Sequence, residues 1–329
     1  MKSNTLRNTI ALLTFLVLAL GACRRAPERK LAEDHVEDNY VKDGYVEVTG
    51  GKIWYRMIGS GKQTPLITMH GGPGGTHRSF YLLETISEDR PIVMFDQLGS
   101  GKSGSHKDTT LLKVENFVEQ VQRLREALDL DEVYFLGSSW GTALALESYL
   151  AHPEGVKGII FNSPYFSTPI WEADADTLIT YLPDSIQKAI EIGEKENDFN
   201  SEAYQQANKV FLKNYGRRND RVSTPWDTVK APRSDFIYNY MWGPTEFTAR
   251  GTLKTYDRFE NLKQVEVPTL FITGEFDEAR AQTVKRFQAL IKGSEFAIIK
   301  GAGHSTLNDN REQNVKVIRE FLNRLDQRD

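Results

Sequence analysis

The chain has 329 residues, with 41 Lys and Arg against 45 Asp and Glu and a formal net charge of −4. So even a balance excludes nucleic-acid binding through bulk electrostatics. A hydrophobic share of 40% and a charged share of 26% are ordinary for a globular protein, and the length fits one large catalytic domain with room for an insertion. The single cysteine, Cys23, excludes an internal disulfide, and no Cys/His cluster points to structural zinc. No metal or cofactor is expected.

The N-terminus reads as a targeting segment. Lys2 and Arg7 precede an apolar run over residues 10–20 that only Thr14 interrupts. The run is short for a membrane span and has the length of a signal-peptide core. It ends in Leu20-Gly21-Ala22-Cys23, which resembles the lipobox of bacterial lipoproteins. That resemblance implies a signal peptide over residues 1–22, a lipid on Cys23, and a catalytic domain anchored to a membrane of the bacterial cell envelope, outside the cytoplasm. The plainer alternative is a generic signal peptide that happens to contain a cysteine. Residues 23–43 carry mixed charges and read as a solvated tether.

Regular patterning begins at about residue 44. Residues 45–48 and 52–57 flank Thr49-Gly50-Gly51 and predict a hairpin. A strand over residues 65–69 leads into His70-Gly71-Gly72-Pro73-Gly74-Gly75, where bare backbone N–H groups can meet a developing negative charge, the Gly72 N–H first among them. A phosphate-binding loop is the poorer alternative, because the lysine spacing is missing and a proline sits in the turn. A strand over residues 91–95 is followed by Asp96-Gln97, expected to support nearby loops rather than to react. Val114, Phe117, Val118, Val121, Leu124 and Leu128 then recur at helical spacing.

The next strand, residues 133–136, runs into Gly137-Ser138-Ser139-Trp140-Gly141, and a helical pattern follows. This is G-x-S-x-G in the strand–turn–helix context that a nucleophile elbow requires. The register selects Ser139 over Ser138, and the residue after the nucleophile, Trp140, supplies the second oxyanion N–H. His152 lies near the end of that helix and reads as a capping residue. After a strand over residues 158–161 the strand–helix alternation stops. Residues 165–262 are rich in helical and aromatic segments, including Trp171, Tyr204, Trp226 and Trp242, and read as an inserted helical cap.

Alternation resumes with strands over residues 269–272 and 295–299 and a final helical pattern through Val317, Ile318, Phe321, Leu322 and Leu325. Asp277 follows the first of these strands and His304 the second, which is the order serine, acid, histidine of the α/β-hydrolase fold. Glu275 and Glu278 stay open as alternatives to Asp277. Continuous apolar runs separated by helices predict a mostly parallel sheet with helices on both faces and an antiparallel edge. The expected catalytic core is residues 44–164 and 263–329.

Four strings together resemble the proline iminopeptidases and their relatives, the tricorn-interacting aminopeptidases and amino-acid amidases. They are His70-Gly71-Gly72-Pro73-Gly74, Asp96-Gln97-Leu98-Gly99-Ser100-Gly101-Lys102-Ser103, Gly137-Ser138-Ser139-Trp140-Gly141, and Met241-Trp242-Gly243-Pro244-Thr245-Glu246-Phe247. The resemblance implies release of an N-terminal residue, often proline, from short peptides or amino-acid amides through an acyl-enzyme. It also implies that Glu246 helps to hold the substrate's free ammonium group. A second acidic residue of the cap is expected to assist, and Asp220 in Arg217-Arg218-Asn219-Asp220 is the candidate. Two other readings stand beside this one: an esterase, amidase or lactonase with the same triad, and a non-catalytic peptide-binding lipoprotein.

Overall fold

A computed structural model describes residues 41–224 and 230–327. Cys23, the lipobox-like string, residues 23–40 of the expected tether and Trp226 lie outside the described residues. Among the described residues, no helix is long and apolar enough to cross a membrane.

Eight strands form one sheet: β1 Val41–Val48, β2 Gly51–Ile58, β3 Leu66–Met69, β4 Ile92–Phe95, β5 Val133–Ser139, β6 Val156–Pro164, β7 Thr269–Gly274 and β8 Glu295–Ile299. Their spatial order is β1-β2-β4-β3-β5-β6-β7-β8. The β1–β2 and β2–β4 pairings are antiparallel, and the others are parallel. Both faces of the sheet are covered, so the central strands are mostly apolar, with Thr68 of β3 among the few buried polar positions. Along β5, Phe135 joins the layer packed under helices α1 Val114–Ala127 and α2 Trp140–Ala151, while Tyr134 and Leu136 join the layer containing Ile318, Phe321 and Leu322 of the C-terminal helix Arg311–Asp326. Each fully buried side chain of this kind stabilises the fold by about 1.5–3 kcal/mol.

One expectation at the edge of this sheet is corrected. The tether does not extend to residue 43, because Val41, Lys42 and Asp43 already belong to β1, in register with Ile58, Met57 and Arg56. Asp43 meets Arg56 at 2.5 Å and ties the start of the strand to the domain. Between β3 and β4 a 3-10 helical segment, His77–Glu88, buries Phe80, Tyr81, Leu82, Leu83 and Ile86. Its side chains follow no clean helical repeat and it has no side-chain cap.

From β6 to β7 the chain is helical, with α3 Thr168–Ile179, α4 Asp184–Glu196, α5 Glu202–Phe211 and α6 Asp235–Met241. Helices α3 to α5 build a small core of their own from Leu178, Leu182, Ile190, Tyr204, Phe211 and Phe247. The cap also grips the catalytic domain. The carbonyls of Tyr215 and Gly216 accept the backbone N–H groups of His304 and Ser305 at 2.7 and 2.8 Å.

Candidate active site

Ser139 ends β5 and opens α2 at φ 57°, ψ −127°. A non-glycine residue at positive φ stores strain, and here it holds the serine at the tip of a sharp turn. The flanking glycines follow from close contact rather than from φ. A Cβ on Gly141 would stand 1.9 Å from the carbonyl oxygen of Met69, and one on Gly137 2.2 Å from that of Gly141. Neither strand–helix turn nor sheet leaves room for a side chain. Ser138 faces elsewhere: its Oγ accepts from Asn162 Nδ2 at 3.4 Å.

Asp277 and His304 meet at the carboxyl ends of β7 and β8, the edge where open α/β sheets place their sites. His304 Nδ1 is 2.8 Å from Asp277 Oδ1. The same oxygen accepts from the Ala279 N–H at 2.9 Å, and Oδ2 accepts from the Gly274 N–H at 3.0 Å and from Thr273 Oγ1 at 3.2 Å. The buried carboxylate is thus locked in one orientation and fixes the histidine ring. Nε2 of His304 is buried and has no hydrogen-bond partner, and the indole of Trp171 packs edge-on against the imidazole at 5.4 Å. Burial works to lower the His304 pKa, but the carboxylates of Asp277, Glu278 and Glu246 outweigh it and push it up to about 9.

Glu275 and Glu278 separate clearly. Glu275 is exposed, and its Oε2 accepts from the Gly301 N–H at 2.9 Å. Glu278 is buried, with Oε1 3.8 Å from His304 Nδ1 and Oε2 without a hydrogen-bond partner. Burial pushes its pKa up to about 8; the His304 charge opposes the rise, and Glu246 and Asp277 add to it.

Gly72 and Trp140 line a narrow pocket together with Ser139, Tyr165, Trp171, Trp242 and Glu246. The first N–H groups of a helix have no partner within it, so the Trp140 amide is free of the helical ladder. Gln97 ties the two donor segments together. Its Oε1 accepts from Trp140 Nε1 at 3.1 Å, its Nε2 donates to the His70 carbonyl at 2.9 Å, and its backbone N–H donates to His70 Nε2 at 3.0 Å. Asp96 supports the same loop by accepting the His77 N–H at 2.8 Å and the Lys102 N–H at 2.8 Å.

Glu246 is half-buried in that pocket, and its carbonyl accepts from Trp171 Nε1 at 2.9 Å. Burial and the adjacent Glu246 carboxylate push the Tyr238 hydroxyl well above its ordinary pKa. Asp220 is a correction. It is exposed, lines neither the Ser139 pocket nor the cavity beyond His304, and offers its carbonyl to Asn308 Nδ2 at 3.1 Å. Its loop is turned outward because the Arg218 and Asn219 N–H groups bind Asp309, each at 3.0 Å. Glu278, from the core rather than the cap, is the carboxylate whose pKa the Glu246 charge helps to raise.

Residues 64–310 match the family model for the alpha/beta hydrolase fold. The chain belongs to the α/β-hydrolase family. It is 39% identical over 284 residues to a proline iminopeptidase of Heyndrickxia coagulans, covering 85% of this chain and 98% of that one. Among solved structures, it is similar to VinJ (TM-score 0.80, 26% identity, 86% of this chain and 99% of that one) and to the proline iminopeptidase of Mycobacterium smegmatis (TM-score 0.76, 25% identity, 87% and 99%). Within the α/β-hydrolases, the chain belongs to the proline iminopeptidase family.

Proposed function

We propose that this protein is a serine aminopeptidase that releases an N-terminal residue, proline among the preferred ones, from short peptides or amino-acid amides. Ser139 Oγ attacks the first carbonyl carbon of the substrate and His304 Nε2 takes the hydroxyl proton. The oxyanion meets the N–H groups of Gly72 and Trp140. His304 then gives its proton to the departing amine, and water releases the acyl group by the same route in reverse. Asp277 holds the imidazole in the tautomer that leaves Nε2 free to accept.

The observation that carries this reading is the pair of carboxylates at the reacting centre. Glu246 shares a pocket with Ser139, and Glu278 is buried beside His304 with an oxygen that no protein group satisfies. A buried acidic oxygen is costly unless a cation or donor reaches it. A substrate ammonium supplies both, at a point one Cα away from the carbonyl under attack. The aromatic walls from Tyr165, Trp171 and Trp242 suit an apolar ring on that Cα.

Glu246→Gln tests the reading. For prolyl and alanyl anilides the expected result is a fall in kcat/KM of about 10–100-fold, the loss of one charge-assisted contact worth roughly 1.5–3 kcal/mol. For N-acetylated or ester substrates without a free amine the change should be less than threefold. Equal losses in both classes would sink the amine-recognition role.

We also propose that Cys23 is the site of lipid attachment, on the strength of Leu20-Gly21-Ala22-Cys23 after an apolar run. Cells expressing the protein are expected to incorporate radioactive palmitate into it, and Cys23→Ser to abolish the label. A natural chain that takes up no label removes the proposal.

A further inference from the structure

Gly71 stands against the nucleophile: a Cβ on it would lie 2.8 Å from the Cβ of Ser139. Its carbonyl begins the peptide unit whose other end is the Gly72 N–H, the first oxyanion donor. A peptide unit is planar and trans, so its C=O and N–H point in opposite directions. Whatever fixes the Gly71 oxygen therefore aims the Gly72 N–H. Two groups reach that oxygen. The Gly75 N–H donates to it at 3.1 Å, and His70 Nδ1 lies 3.0 Å from it.

The partners of the His70 ring fix its state. A carbonyl oxygen only accepts, so Nδ1 must carry a proton. The Gln97 backbone N–H only donates, and it meets Nε2 at 3.0 Å, so Nε2 must be bare. Only the neutral ring with its proton on Nδ1 satisfies both. Burial favours the neutral ring and pulls the His70 pKa down; Asp96 and the Gly71 contact oppose the shift, and His77 adds to it. The Gln97 side chain extends the same network. Trp140 Nε1 only donates, so the Gln97 amide turns its oxygen to the indole and its NH₂ to the His70 carbonyl. The residue gripped in this way, Trp140, carries the second oxyanion N–H. His70, Gln97 and Trp140 are all buried, where such bonds are stronger than in water.

We propose that His70, held as the Nδ1–H tautomer, is a positioning residue that aims the Gly72 N–H at the developing oxyanion, with Gln97 keeping this donor in step with the Trp140 N–H. The inference rests on the oxyanion assignment within the aminopeptidase reading and uses nothing of its amine recognition. His70 touches no substrate atom in this scheme. Its effect falls on kcat rather than KM, because the charge it serves develops only in the transition state.

The test compares His70→Asn with His70→Gln. The Asn amide can place Nδ2 near the position of the imidazole Nδ1 and keep the bond to the Gly71 oxygen. The Gln amide reaches the position of Nε2 and can keep only the bond from the Gln97 N–H. Each variant retains one of two hydrogen bonds, so a merely structural role would leave the two alike. For prolyl anilide, kcat is expected to fall less than about tenfold in His70→Asn and about 100-fold in His70→Gln, with KM changed less than about threefold in both. The rate of fluorophosphonate labelling should fall in the same order, since it builds charge on an oxygen in the same hole and needs no ammonium. Thermal melting refers each rate to folded protein. Equal losses in the two variants, or the larger loss in His70→Asn, overturn the proposal. So does a change confined to KM, or a loss with the anilide that the label does not show. A natural chain that takes the label but cleaves no anilide defeats the aminopeptidase reading alone, and the labelling rates of the two variants then decide this inference. A natural chain that does neither defeats both.

Discussion

Ser139→Ala is expected to lower kcat by about 10⁶-fold while leaving the fold intact, because removal of a triad serine costs about as much as removal of the whole triad. The residual rate comes from the Gly72 and Trp140 donors and from substrate binding, which the change does not touch. Stability should respond in the opposite sense at the same position. Ser139 sits at φ 57° and ψ −127°, outside the regions that L residues favour. Such strain costs on the order of 1–3 kcal/mol. Ser139→Gly removes it, against a glycine entropy cost of roughly 0.5–1 kcal/mol. The glycine variant is therefore expected to be inactive yet to melt about 2 °C above the natural chain. An inactive glycine variant that melts lower than the natural chain would show that no strain is stored in the elbow. Fluorophosphonate labelling and thermal melting of the three chains decide the matter. A stability gain coupled to complete loss of activity is what a strained nucleophile turn requires.

How far the sequence could be read depends on the range of each interaction. The elbow was legible because its demands are local. Gly137 and Gly141 are needed for contacts with Gly141 and Met69 that any strand–turn–helix of this kind imposes. The central strands were legible because coverage on both faces makes their runs mostly apolar, with polar residues such as Thr68 too few to break the pattern. The start of β1 was not, since the strand is at the sheet edge and its first residues are exposed, so Lys42 and Asp43 look like tether. The acidic residues were harder still. Glu275, Asp277 and Glu278 lie within four positions, and only three-dimensional contacts separate them: two backbone N–H groups for Asp277, a surface turn for Glu275, and the unsatisfied pocket beside His304 for Glu278. Asp220 stood as the second cap carboxylate only through the family resemblance. Its loop instead docks on Asp309, a residue 89 positions away whose role no local pattern reveals.

Asp277→Asn is the second large effect, and the local hydrogen bonds set its direction. Both carboxylate oxygens accept from backbone N–H groups, Oδ1 from Ala279 and Oδ2 from Gly274, and neither donor can reverse its role. An asparagine amide must therefore turn its NH₂ toward a backbone donor in either orientation. If the NH₂ occupies the Oδ1 position, it also faces His304 Nδ1 and selects the tautomer with the proton on Nε2, which cannot accept from Ser139. The expected fall in kcat is about 10⁴-fold, with a stability loss of roughly 1–3 kcal/mol for the unsatisfied buried donor. The pH dependence should move as well. Asp277 is the largest of the influences that raise the His304 pKa to about 9, while burial pulls it down. Protonated His304 cannot act as a base, so in the natural chain the rate of fluorophosphonate labelling should rise with pH and reach half its maximum near about 9. In Asp277→Asn the charged imidazole loses its main support, and the midpoint should fall by at least one pH unit. Substrate binding acts in the same direction: an ammonium placed between Glu246 and Glu278 offsets two more of the carboxylates that favour protonated His304. The midpoint of kcat, which reports the bound state, should therefore lie below that of kcat/KM, which reports the free enzyme. A labelling profile whose midpoint is the same in Asp277→Asn and the natural chain would mean that another group, and not His304, takes the proton from Ser139.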